Sequence, residues 1–293
     1  MKAYVAAPVV QSRSIGRVAE ALATYAPPSV EIVTDKDAAD LVVLHVIGRR
    51  DQMLAEAARL VGRGQAYAVM QYVLKSTQKP DPWDWAVLWI AARVTWSYLD
   101  LAAALGPCYD DSPRGRFYHA PLGVDADVFR PMPLTQPGRW LIGTSGQSWL
   151  TESVRECAHA ALRVGGSMFH LGPDMAATHV MSVSGLTDEQ LAYYWSACQF
   201  VSGLRRIEGF ELPAVEGLLC GARPVLFDKP HYRRWYGAWA DYIEETDRAG
   251  VIDQLEALFR RGARPVTTDE RAAAVARFNW STLVPAFWQR CGA

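Results

Sequence analysis

The chain has 293 residues, half of them apolar and 21% charged, which suits two ordinary α/β domains with real cores better than one. A formal net charge of -1 excludes a global basic field that would draw the whole molecule to nucleic acid or anionic lipid, though not a local basic patch. No apolar run reaches the roughly 18–20 residues of a membrane helix. The opening run to Val10 is too short for a signal sequence, and five scattered cysteines lack metal-ligand spacing, so the expected setting is cytoplasmic, with reduced thiols.

In chain order, strand-like and helix-like runs alternate, the pattern of a parallel sheet with helices on its faces. Strands are expected at 3–10, 30–33, 41–47, 66–74, 94–98 and 117–121, with helices at 15–25 and 51–61 and a short one closed by Gly106-Pro107. A Trp-rich stretch, 82–92, stands between the fourth and fifth strands; Trp83, Trp85, Trp89 and Trp96 offer stacking faces for a sugar or base, with core packing the plainer reading. Pro131 to Gly138, with three prolines and a glycine, suits neither a helix nor a central strand and reads as a linker between domains 1–130 and 138–293.

Alternation then restarts. Strands are expected at 140–144, 167–171, 200–203 and 224–227. Helices are expected at 150–163, 187–197 with Thr187 as cap, 213–220, 251–260 and 269–278, with a tail at 283–290. Two such domains leave a cleft, the usual place for a ligand.

The stretch from Arg205 to Val225 reads as a Gly-containing loop, a helix begun by Pro213 and a glycine just past its end. Free amides at that helix start, with the helix dipole, favour an anion by about 0.3–2 kcal/mol, and a diphosphate suits them. Glu208 and Glu216 bracket the position. Carboxylates beside a phosphate site make sense when hydroxyl-rich neighbours, a ribose and a hexose, donate to them.

The order Glu208-Gly209-Phe210-Glu211-Leu212-Pro213, then Glu216-Gly217, Gly221 and Pro224-Val225, resembles the signature of retaining GT-B glycosyltransferases, above all glycosyltransferase family 4 (glycosyl transferases group 1). Gly185-Leu186-Thr187 resembles the loop whose backbone meets the nucleotide base. Pro121-Leu122-Gly123-Val124-Asp125 with Phe129 and Pro131 resembles the interdomain segment, and Phe278-Asn279-Trp280 the terminal helix. The resemblance runs from about Phe117 to the C-terminus.

It implies two Rossmann-like domains with parallel sheets facing a cleft, the terminal helix crossing back to the first. It also implies hexosyl transfer with retention from a nucleoside diphosphate sugar, UDP- or GDP-linked, to a hydroxyl acceptor, with neither metal nor cofactor. Glu208 then contacts the donor sugar and Glu216 the ribose, with amides of Gly209, Phe210, Glu211 and Leu212 on the phosphates. The family's Arg and Lys after the first strand of the second domain are missing: Ser145, Gly146 and their neighbours carry no cation, and Arg205 or Arg206 is the expected substitute. His45 resembles an acceptor-side histidine, a satisfied strand-end histidine being the plainer reading. Gln71 or Tyr72 stands where the family's catalytic histidine would be. Lys229, with His231, Arg233 and Arg234 among Tyr232 and Trp235, reads as a basic loop on the acceptor or phosphate side, and Asp125-Ala126-Asp127 as structural. Two acceptor classes remain open, a small glycoside or polysaccharide precursor and a hydroxymethylated nucleic-acid base. The rival reading is a catalytically silent sugar-nucleotide-binding or partner-binding protein on the same scaffold.

Overall fold

The computed structural model describes residues 1–6, 13–46, 50–72, 82–134, 138–146, 151–206 and 210–293, the side chains of 13, 14, 50, 82–85, 103 and 104 excepted. They form two units, Met1–Gly123 with Trp280–Ala293, and Val124–Asn279.

In the first unit, β1 (Lys2–Val5), β2 (Glu31–Ile32), β3 (Leu41–Val46), β4 (Ala66–Gln71), β5 (Thr95–Ser97) and β6 (Phe117–His119) make one parallel sheet in the order β2-β1-β3-β4-β5-β6. The helices are α1 (Arg13–Thr24), α2 (Arg50–Gly62), α3 (Pro82–Ala91), α4 (Ala102–Leu105) and the C-terminal α11 (Trp280–Arg290). Every β3 residue is buried, as its unbroken apolar run requires of a strand covered on both faces. One face packs Val42, Leu44, Val46 and Val69 against Leu60 of α2 and Trp89 of α3. On the other, Trp96 meets Tyr118, Trp280 and Phe287 at ring-centroid distances of 4.9, 6.2 and 5.4 Å, and the Trp288 indole donates to the Leu22 carbonyl of α1 at 3.0 Å. The Trp-rich stretch is therefore helix α3. Trp89 and Trp96 are core residues, at 0% and 1% exposure, and not open stacking faces; the side chains of Trp83 and Trp85 lie outside the described set.

The second unit has the parallel order β12-β11-β10-β7-β8-β9. Its strands are β7 (Trp140–Ser145), β8 (Met168–Leu171), β9 (Val180–Val183), β10 (Cys198–Gly203), β11 (Arg223–Phe227) and β12 (Asp241–Ile243). Its helices are α5 (Val154–Arg163), α6 (Asp188–Ser196), α7 (Leu212–Cys220), α8 (Pro230–Tyr236), α9 (Arg248–Arg261) and α10 (Thr268–Phe278). Two glycines set helix–strand spacing. A methyl on Gly217 would overlap Val201 of β10, and one on Gly143 would overlap the Trp195 ring of α6. Val124 pairs with Asn279, its amide 2.7 Å from the Phe278 carbonyl, so the unit's two ends are joined.

Several expectations need correction. The basic stretch after Lys229 is helix α8 and not a loop: Pro230 starts it, and Tyr232, Trp235 and Tyr236, spaced for one helical face, are buried. Helix α5 begins at Val154 rather than Leu150. Strands β9 and β12 were not anticipated. The first is only half-buried along its length and the second is three residues long, so neither shows a strong apolar period. All five cysteines are free, and among the described residues no helix is long and apolar enough to cross a membrane.

Candidate functional site

In an open parallel sheet, ligands settle outside the carboxyl ends of the strands, where the chain order reverses. In the second unit that point lies between β7 and β10, since β8 and β9 extend one way and β11 and β12 the other. Ser145 ends β7, Gly146 follows it, and Arg205 and Arg206 follow β10. Gly185 and Leu186 follow β9, Lys229 follows β11, and the start of α7 follows the β10 loop. These residues therefore share the carboxyl edge of one sheet. Glu208 and Gly209, between Arg206 and Phe210, lie outside the described residues.

Glu216 sits within α7 at 3% exposure, and its Oε2 accepts from the Trp195 indole N–H at 3.0 Å. The chain of causes starts at Gly143, whose missing side chain admits the Trp195 ring that orients the carboxylate. Gly185 takes the left-handed conformation, φ 72°, and hands the chain to α6. There Thr187 and Gln190 form a reciprocal capping box at 2.9 and 3.2 Å, fixing the turn that carries Leu186.

Arg205 lies between two carboxylates. One of its terminal nitrogens is 3.1 Å from Glu152 and its Nε is 3.0 Å from Glu211, which are 8% and 2% exposed. Glu152 leans over Gly146, where an added methyl would overlap its carboxylate. Glu211 packs against Gly203 at the end of β10. Its backbone is held from both sides by the Tyr236 hydroxyl, which accepts from the Glu211 amide at 3.2 Å and donates to its carbonyl at 2.6 Å. The Glu211 amide is thus taken internally, which corrects its expected phosphate role. Phe210 is buried against Trp235, Tyr236 and Phe278, and Leu212 opens α7 half-buried.

The neighbouring cations are paired differently. Arg206 reaches one oxygen of Glu245 at 3.2 Å and the Thr246 carbonyl at 3.3 Å, while Lys229 reaches the other Glu245 oxygen at 2.5 Å. Both lie near the Phe227 ring, 5.3 and 5.6 Å from its centroid. Burial pushes the Glu245 carboxyl up, but Lys229 and Arg206 together outweigh it and hold it below its ordinary range. Glu152, Trp195 and Glu245 were not anticipated. The chain does carry a signal for Trp195, an indole eight residues after the cap Thr187, but none for the other two.

In the first unit the reversal falls between β1 and β3. His45, the penultimate residue of β3, is nearly fully buried, its Nδ1 2.8 Å from the Tyr72 hydroxyl, and its Nε2 has no partner among the described residues. Burial lowers His45 to about 4, so it is neutral at physiological pH. His45 and Tyr72 come together as one pair. Gln71 points to the opposite face of the sheet, where its Oε1 accepts from the Trp89 indole at 2.9 Å. Asp125 is structural: its carboxylate accepts from the Asp127 amide at 2.9 Å and closes a turn. No group of three or more potential metal ligands occurs among the described residues.

No protein-family model and no curated protein matches this sequence. Solved structures do. HepE from Anabaena, in complex with UDP and glucose, aligns over 99% of each chain with a TM-score of 0.74 and 11% identity. Sucrose-phosphate synthase from Thermosynechococcus elongatus aligns over 98% of this chain and 97% of its own, with a TM-score of 0.69 and 14% identity. AviGT4, a glycosyltransferase involved in avilamycin A biosynthesis, aligns over 99% and 96%, with a TM-score of 0.66 and 13% identity. Two six-stranded parallel sheets with flanking helices, matched over almost the whole length of such neighbours, give this chain the GT-B fold.

Proposed function

We propose that the chain is a glycosyltransferase that moves a hexosyl group from a nucleoside diphosphate sugar to a hydroxyl acceptor, with retention and without a metal ion. The observation that carries this reading is the buried carboxylate of Glu216 on α7, the helix that follows β10 after the β7–β10 reversal, held by the Trp195 indole. The likeness to HepE, whose structures hold UDP and UDP-glucose, supports a sugar nucleotide as the ligand class. Glu208 contacts the sugar, Glu216 the ribose hydroxyls, and the Gly185-Leu186 backbone the base. The first unit takes the acceptor beside His45 and Tyr72. A neutral histidine hydrogen-bonded to a buried phenol suits an uncharged hydroxyl compound, which favours a small glycoside or polysaccharide precursor over a hydroxymethylated base in nucleic acid.

The test is incubation of the full chain with UDP- and GDP-linked hexoses and a panel of hydroxyl acceptors, with nucleotide release and product anomer read together. The expected result is release that EDTA leaves unchanged and a product of the donor's anomeric configuration. An inverted product would overturn retention, and loss with EDTA would overturn metal independence. One observation favours the silent reading: Arg205 is already neutralised by two carboxylates. Saturable donor binding without hydrolysis or transfer would decide for it.

A further inference from the structure

Charge at the carboxyl edge of the second unit is unevenly distributed. Arg205 is held between two carboxylates, Glu152 at 3.1 Å and Glu211 at 3.0 Å, so its charge is already engaged within the protein. Around Glu245 the balance is reversed. Two cations, Arg206 and Lys229, share one carboxylate, each taking a different oxygen, while the neighbouring Asp228 is engaged by Arg233. Both cations stay partly open, with side-chain exposures of 25% and 20%.

Their position is fixed by backbone contacts at the β7–β10 reversal. The Arg206 amide donates to the Thr151 carbonyl at 3.0 Å, which ties it to the segment after β7. Lys229 Nζ donates to the Arg206 carbonyl at 3.0 Å, and the Tyr232 hydroxyl to the Arg205 carbonyl at 3.3 Å. The Phe227 ring beneath both cations limits their hydration and keeps the two charges side by side. A carboxylate bridging two cations through separate oxygens occupies the positions that two oxygens of a phosphate group would take.

We infer that Arg206 and Lys229 form the cation pair for the donor diphosphate, with Glu245 as the counter-ion that the phosphate displaces. Arg205 is then a structural cation that cross-links the β7 and β10 segments through Glu152 and Glu211. Lys229 thus moves from the acceptor side to the donor side. This rests on the sugar-nucleotide reading above and supplies the charge that the segment after β7 lacks.

The experiment is calorimetric titration of the full chain with UDP and with uridine, and with GDP and guanosine, for the wild type and for Lys229→Met, Arg206→Met and Glu245→Gln. The nucleoside reports the folded base and ribose site without the diphosphate. For whichever base binds, each cation variant should lose roughly ten- to hundredfold in nucleotide affinity while nucleoside affinity stays within about twofold. Glu245→Gln should bind the nucleotide more tightly and the nucleoside as before. Unchanged nucleotide affinity in both cation variants would overturn the inference and leave the functional reading standing, as would a loss in Glu245→Gln matching that of Lys229→Met. Parallel loss of nucleotide and nucleoside binding in the cation variants would make the cluster structural and overturn it too. Absence of any nucleotide binding by the wild type would overturn the functional reading and the inference with it.

Discussion

The Glu216 carboxylate is held by an indole hydrogen bond that depends on a glycine. Gly143 leaves room for the Trp195 ring, and Trp195 donates to the carboxylate. Glu216→Gln keeps an acceptor for that indole and removes the charge that ribose hydroxyls would meet. The free protein should melt within a few degrees of the wild type, while nucleotide affinity falls by about tenfold. Gly146→Ala acts through a clash, because the new methyl must push the Glu152 carboxylate off its place beside Arg205. It should lower stability by about 1–3 kcal/mol, read by denaturant titration of the free protein. His45 makes a pH prediction. Its ordinary value of 6.5 falls to about 4 on burial, so between those values the unfolded chain takes up a proton that the folded one does not. Stability is therefore intact above about 6.5 and is lost as pH falls toward about 4, by up to about 1.4 kcal/mol per pH unit from this residue. His45→Gln should flatten that part of the stability–pH curve; an unchanged slope would mean that His45 is protonated in the folded state.

Among the elements, the strongly periodic and well-punctuated ones were legible in the sequence. Thr187 was read as a cap and closes a full capping box, and Pro213 and Gly221 bracket α7 as their backbone preferences dictate. Thr187→Ala should cost about 1 kcal/mol and loosen the Gly185-Leu186 turn, visible as faster amide exchange there. Helix α8 was missed because its seven residues are too few to show a helical period, the single set Tyr232, Trp235 and Tyr236 standing among His231, Arg233 and Arg234. Tertiary ion pairs were invisible for a related reason. Fully buried Arg223 of β11 meets Glu270 of α10, 47 positions away, at 2.9 Å. Hydrogen bonds from Arg223 chiefly, then from the Thr267 amide and Arg264, lower Glu270 from 4.5 to about 2. Its contribution is complete above about pH 4.5 and is lost as pH falls toward 2. Arg223→Met should destabilise the second unit by about 3–5 kcal/mol and abolish that acid dependence.

For the whole molecule, the alternation of strands and helices announced two parallel sheets, and each half of the sequence supplies one. The candidate site was only partly legible. Glu216 and the Gly185 turn rest on local signals, whereas the partition of charge among Arg205, Arg206 and Lys229 is set by Glu152, Glu211 and Glu245, which chain folding brings to them from elsewhere. The C-terminal helix α11 belongs to the first unit, with Trp280, Phe287 and Trp288 buried beside β5 and α1. Truncation after Asn279 should therefore strip exchange protection from α1, β5 and β6 while leaving β7 and β10 protected; equal loss in both units would refute that division of the core.

A nucleoside diphosphate sugar is the ligand proposed for the carboxyl edge of the second unit. Its binding should be read from thermal unfolding of the wild type and Glu216→Gln with UDP, GDP, ADP and their hexose conjugates, with and without EDTA. A ligand at a hundred times its dissociation constant stabilises by about 2.7 kcal/mol, a shift of several degrees. One nucleotide series should raise the wild-type midpoint, EDTA should not change the shift, and the shift should shrink in Glu216→Gln. No shift with any nucleotide, or an equal shift in the variant, would rule out a donor site at Glu216.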